Sequence, residues 1–70
     1  MKLEDIVIGE SYRHKDHPTY AWARAIRIIP PNLGINYQNY PVVEVEWTVD
    51  KDDNFGLFKY FKASDLVKGE

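Results

Sequence analysis

The sequence predicts an all-β fold: one domain, residues 1–70, of five short antiparallel strands. Three observations carry that expectation. Val43, Val45, Trp47 and Val49 alternate with Glu44, Glu46 and Thr48, the period of two that gives a strand one apolar and one polar face. Turn-forming clusters such as Pro30-Pro31 and Asp50-Lys51-Asp52-Asp53-Asn54 cut the chain into short segments, as they do in small all-β domains. The third is size: 70 residues with no cysteine but 14% aromatics. A chain this short buries only about 60% of its unfolded surface, so large rings must supply the burial that disulfides supply elsewhere.

The elements follow in order. Glu10 to His14, after Gly9, reads as a short first strand. Tyr20 to Ile29 reads as the second. Ala21, Ala23 and Ala25 share one face, and Trp22, Arg24, Ile26 and Ile28 share the other. Small residues on one face suit a curved wall; either both faces are partly covered, or a bulge near Ile26 switches the phase. The third strand is Pro41 to Val49; Pro41 can start it because a first residue need not donate to the ladder. Trp47 is assigned to the core, and Glu44, Glu46 and Thr48 to the wet face. The polar tip at 50–54 then returns the chain through a fourth strand, Phe55 to Lys62, antiparallel to the third. Ala63-Ser64-Asp65-Leu66-Val67 reads as one short 3-10 turn and a closing strand, with Ser64 or Asp65 as its cap.

Nine Lys+Arg against eleven Asp+Glu give a net charge of -2, which argues against a generally basic nucleic-acid protein. The opening Met1-Lys2-Leu3-Glu4-Asp5-Ile6 carries acids where a secretory leader is basic and then apolar. No apolar run approaches the roughly 20 residues of a membrane helix. The expectation is a cytoplasmic protein with no membrane partner.

Gly9-Glu10-Ser11-Tyr12-Arg13, the Ala/Ile strand ending in proline, and the close Phe61-Lys62-Ala63-Ser64-Asp65-Leu66-Val67 together resemble the SH3-like small β-barrels. That group includes Tudor and KOW-type domains and many small bacterial and phage-encoded ones. The resemblance covers Ile8 to Val67 and is one of layout. It implies a single five-stranded antiparallel barrel, and a binding module sooner than an enzyme. The peptide-binding signature of signalling domains and the Gly-x-Val opening of KOW domains are both missing.

Catalysis has little to work with. A nucleophile needs a base and an orienting group converging on it; the only serines are Ser11 and Ser64, and the four glycines are isolated. No enzyme site and no cofactor are expected. His14, Asp16 and His17 cluster before Pro18, but not at a known metal-ligand spacing. The segment from Asp50 onward starts like a calcium loop, then places its glycine one position late and Phe61 where a bidentate Glu is needed. Both read as polar turns, so no metal is expected.

The surplus lies in rings and in one loop. Residues 30–40 form a long connection without charge, holding three Asn and two Tyr; loops of this length in compact domains are usually functional or mobile. Tyr20, Trp22, Tyr37, Tyr40 and Phe58 are the candidate partner-binding residues, since exposed Tyr and Trp give contact area at low entropic cost. The leading expectation is a protein-interaction module docking a partner protein or a second copy, as a monomer or weak homo-oligomer. The alternative is nucleic-acid binding through Arg13, Lys15, Arg24, Arg27, Lys59 and Lys62 with aromatic stacking. A third reading is self-association through Val42–Val49 as an uncovered edge. Rings apart from the basic residues would favour protein; rings interleaved with them, nucleic acid.

Overall fold

The computed structural model describes residues 1–17, 19, 21–52 and 56–69. The fold is all-β. Its strands are β1 (Ser11–His14), β2 (Trp22–Ile29), β3 (Val42–Thr48), β4 (Leu57–Phe61) and β5 (Leu66–Lys68). They form one antiparallel sheet in the order β4-β3-β2-β1-β5. Two 3-10 turns complete the fold, Leu3–Asp5 and Ala63–Asp65. The sequence anticipated the second and not the first. No helix among the described residues is long and apolar enough to cross a membrane.

The irregular alternation of β2 has a structural cause. Arg24 pairs with Glu46 and Ala25 with Val45, but Arg27, not Ile26, pairs with Glu44. Ile26 is the extra residue of a β-bulge, which bends the strand and flips its phase. Before the bulge Ala23 and Ala25 face the core; after it Ile28 does. The two alanines are fully buried, and their small size leaves room above β2 for the larger side chains of the core. The same bulge places Arg24 and Arg27, three residues apart, on one face.

The core joins Ile6, Tyr12, Ala23, Ala25, Val43, Val45, Ala63 and Leu66, with Trp47 and Phe61 packed against it. The Tyr12 hydroxyl is not orphaned inside, since it accepts the Val7 N–H at 2.9 Å. Gly56 enters β4 where no side chain fits: a Cβ there would lie 2.7 Å from both the Trp47 carbonyl oxygen and Glu46 Cγ.

Four expectations need correction. Glu44 and Glu46 are buried, at 8% and 7% exposure, and Thr48 is buried too, because arginines from β2 cover the carboxylates. Val49 is exposed, since β3 ends at Thr48 and the chain turns there. Neither Ser64 nor Asp65 caps the second 3-10 turn: its N-cap position is Lys62, with no side-chain cap bond. Val42–Thr48 is no edge either, being paired on both sides by β2 and β4. The edges are β4 and β5. The expected hairpin tip is described only as far as Asp52, where Asp50 Oδ1 accepts the Asp52 N–H at 3.0 Å.

Candidate functional site

The outer face of β2-β3-β4 is built in rows. Across the ladder, Arg24 faces Glu46 and Glu46 faces Phe58; Arg27 faces Glu44 and Glu44 faces Tyr60. The arginines form one column, the glutamates a second and the rings a third. Arg24 Nη2 donates to Glu46 Oε1, and Arg27 Nε donates to Glu44 Oε1 at 2.8 Å. The carboxylates therefore draw the arginines inward and away from the aromatic column.

That column continues into the long loop. A shallow cleft of about 250 Å³ is lined by Tyr37, Tyr40 and Tyr60, with Ile35, Val42 and Lys62 among its other walls. Tyr37 is 87% exposed and Phe58 62%. Tyr40 is half-buried, with Lys62 Nζ 4.5 Å from its ring centroid. The structure thus brings Tyr37, Tyr40 and Phe58 into one strip through Tyr60, a residue the sequence reading passed over. Its place in the period of two beside Phe58 was the available signal.

The loop itself is ordered by one side chain. Asn36 is buried. Its Nδ2 donates to the carbonyls of Ile29, Pro30 and Tyr40 at 3.1, 3.0 and 2.9 Å, and its Oδ1 accepts the Gln38 N–H at 3.0 Å. Asn32 and Gly34 supply the left-handed turns, at φ 55° and 61°, which asparagine and glycine tolerate best.

Trp22 stands apart from the strip. The Arg13 guanidinium lies 3.3 Å from its ring centroid and Lys51 Nζ 5.0 Å. Arg13 also donates to the Ala21 carbonyl at 3.1 Å. Tyr20 lies outside the described residues. Among the remaining bases, Lys15 pairs with Asp65 at 3.1 Å. Lys59 has no ion pair or side-chain hydrogen bond among the described residues.

Lys59 instead borders a second cleft, of about 220 Å³, on the other face of β4. Its walls are His14, His17, Trp47, Lys59 and Phe61. The rings meet edge-on: His14 to Phe61 at 4.7 Å, Trp47 to Phe61 at 5.5 Å and His14 to Trp47 at 6.3 Å between centroids. Asp16 turns its backbone N–H, at 3.1 Å, to His14 Nδ1, which makes Nε2 the protonated nitrogen of the neutral ring. Among the described residues no group of three or more His, Cys, Asp or Glu is placed to hold a metal ion.

Tyr60 reports on the acidic column beside it. Desolvation first, then the hydrogen bond to Glu44 and that carboxylate's negative charge, raise its phenol above the usual 10, with Arg27 opposing. The fold therefore favours the neutral phenol. Its contribution to stability is present below pH 10 and is lost as pH rises through the folded value. Ultraviolet titration of phenolate should show a late-ionising tyrosine component that Tyr60→Phe removes.

No protein-family model, no curated protein and no solved structure matches this chain.

Proposed function

We propose that this chain is a non-enzymatic binding module, a small SH3-like barrel that docks a partner protein through the strip of Tyr37, Tyr40, Phe58 and Tyr60. Three features support the barrel layout: the strand order, the bulge that bends β2 between its two halves, and the 3-10 turn joining β4 to β5. The observation that carries the function is the column of Glu44 and Glu46 between the arginines and the rings. It leaves the rings as an exposed surface next to cations that are already paired. Tyrosine on such a surface offers area with a polar tip.

Nucleic acid is the second reading, favoured by one observation: Arg13 and Lys51 against Trp22, and Lys62 against Tyr40, do interleave cations with rings. Two facts weigh against it. Phosphate binding needs cations free to displace counterions, and Lys15, Arg24 and Arg27 are held by carboxylates. Trp22 has cations against its ring, where a base would stack.

The test pairs two measurements. A tagged wild-type chain should retain a protein that the Tyr37→Ala/Phe58→Ala double variant loses, and the purified pair should reproduce the difference by calorimetry. Labelled single- and double-stranded oligonucleotides should show no salt-sensitive binding. Equal retention by both chains, or oligonucleotide binding that falls steeply with salt, refutes the protein-docking reading.

A further inference from the structure

Among the described residues β4 is an edge strand: β3 pairs with one side of it, and no described strand pairs with the other. In an antiparallel ladder alternate residues turn their N–H and C=O groups outward, so β4 presents a template for one more strand. Most natural edges are blunted by charge, by proline or by a covering segment. Here Leu57, Phe58 and Tyr60 are large, apolar and exposed, and Lys59 is the one charge within the strand.

The surroundings of Lys59 specify what fits. The cleft it borders has two imidazoles, an indole and a phenyl ring among its walls and no carboxylate. This is a local cationic site on a chain of net charge -2. A second copy fits poorly: with a two-fold axis at the centre of the strand, Lys59 would face Lys59 of the second copy, and like charges directly opposite destabilise a sheet. Nucleic acid supplies charge but no strand. The complementary occupant is an extended peptide with a carboxylate opposite Lys59 and apolar residues on either side.

Resting on the binding-module reading, we infer that β4 accepts an extended acidic-apolar segment of a partner protein as a sixth strand, its carboxylate side chain meeting Lys59 beside the His14–His17 cleft. Main-chain bonds to the edge would give affinity, and the alternating side chains would give selectivity. The partner's apolar side chains would lie next to Phe58 and Tyr60 on the outer face, continuous with the tyrosine strip.

Synthetic eight-residue β-forming peptides test this directly, with a central Glu or a central Lys between valines, added to the full chain at low salt. The Glu peptide should slow amide exchange across Leu57–Phe61 and bind about tenfold more tightly than the Lys peptide, the scale of one well-placed charge pair. Lys59→Glu should invert the preference, while exchange elsewhere in the sheet shows that the variant stays folded. Equal binding of the two peptides, no protection of β4, or protection that appears with chain concentration alone overturns the inference. If either peptide result is negative while Tyr37→Ala/Phe58→Ala still loses its partner, the module reading stands and only the edge-strand inference falls.

Discussion

Asn36→Ala is expected to lower the midpoint of thermal unfolding by about 10–20 °C, at about 4–8 °C per kcal/mol for a domain of this size. Asn36 is buried and ties the end of β2 to the approach of β3: its amide donates to the Ile29, Pro30 and Tyr40 carbonyls and accepts from Gln38. Alanine removes these bonds and takes this donor from the Ile29 carbonyl, the buried one of the three. A single hydrogen bond is worth about 1 kcal/mol net, and an orphaned buried group costs about 1–3 kcal/mol. Two to three kcal/mol in all is roughly a third of what holds a domain of this size together. Asn36→Asp should be worse at neutral pH, because it turns a carboxylate towards three carbonyl oxygens. That environment raises the new acid's folded pKa above its unfolded one, so this variant should regain stability as pH falls through the raised value. Calorimetric scans of the three chains across pH check both statements. The wild type should lack the recovery specific to the Asp variant.

Asn36 also marks where sequence reading stops. The segment 30–40 is legible as a long neutral loop, and its Tyr and Asn content suggests adaptable partner contacts. Composition does not say which of three asparagines lies inside. Asn36 is tied up internally, and the exposed chemistry of the loop belongs to Tyr37. The third strand is legible from its alternation, whereas the broken phase of Ala-Arg-Ala-Ile-Arg-Ile fits either two partly covered faces or a bulge, and the register decides for the bulge. Glu44 and Glu46 were misplaced because alternation reports polarity, not cross-strand register. Their burial follows from Arg24 and Arg27 standing opposite them, and the bulge at Ile26 is what sets Arg27, not Ile26, against Glu44. Likewise Leu57-Phe58-Lys59-Tyr60-Phe61 reads as a strand, but nothing within it tells an edge from a centre. That distinction comes from β1 pairing with β5 and leaving β4 outermost.

The arrangement of rings and charges makes those ion pairs more than surface decoration. Tyr60 sits against Glu44 and Phe58 against Glu46, so the aromatic strip rests on a buried acidic column. Anything that releases the column's counter-cations changes the footing of the strip. Stability and docking should therefore respond together to changes in the arginines, even though neither arginine belongs to the strip.

Arg24→Met should destabilise the fold by about 2–3 kcal/mol, and Arg27→Met by about 1 kcal/mol or less. Removing one partner of a fully buried pair costs about 3–5 kcal/mol, because the remaining charge stays desolvated. The Arg24 side chain is 28% exposed against Glu46 at 9%, whereas Arg27 is 62% exposed against Glu44 at 10%. Water reaches the Arg27 pair more readily, and exposed pairs contribute little. The decisive step is the double variant Arg24→Met/Glu46→Leu. Replacing both ions by apolar side chains removes the unpaired charge, so it should recover most of the loss, since such replacements are often neutral or better. Urea unfolding of the wild type, Arg24→Met, Glu46→Leu and the double variant closes the cycle, and a coupling of about 1–3 kcal/mol is expected for residues in direct contact. Simple addition of the two single losses would mean that Glu46 draws its stability from somewhere other than Arg24. The paired-column argument for the proposed docking of protein over phosphate would then fail at its base.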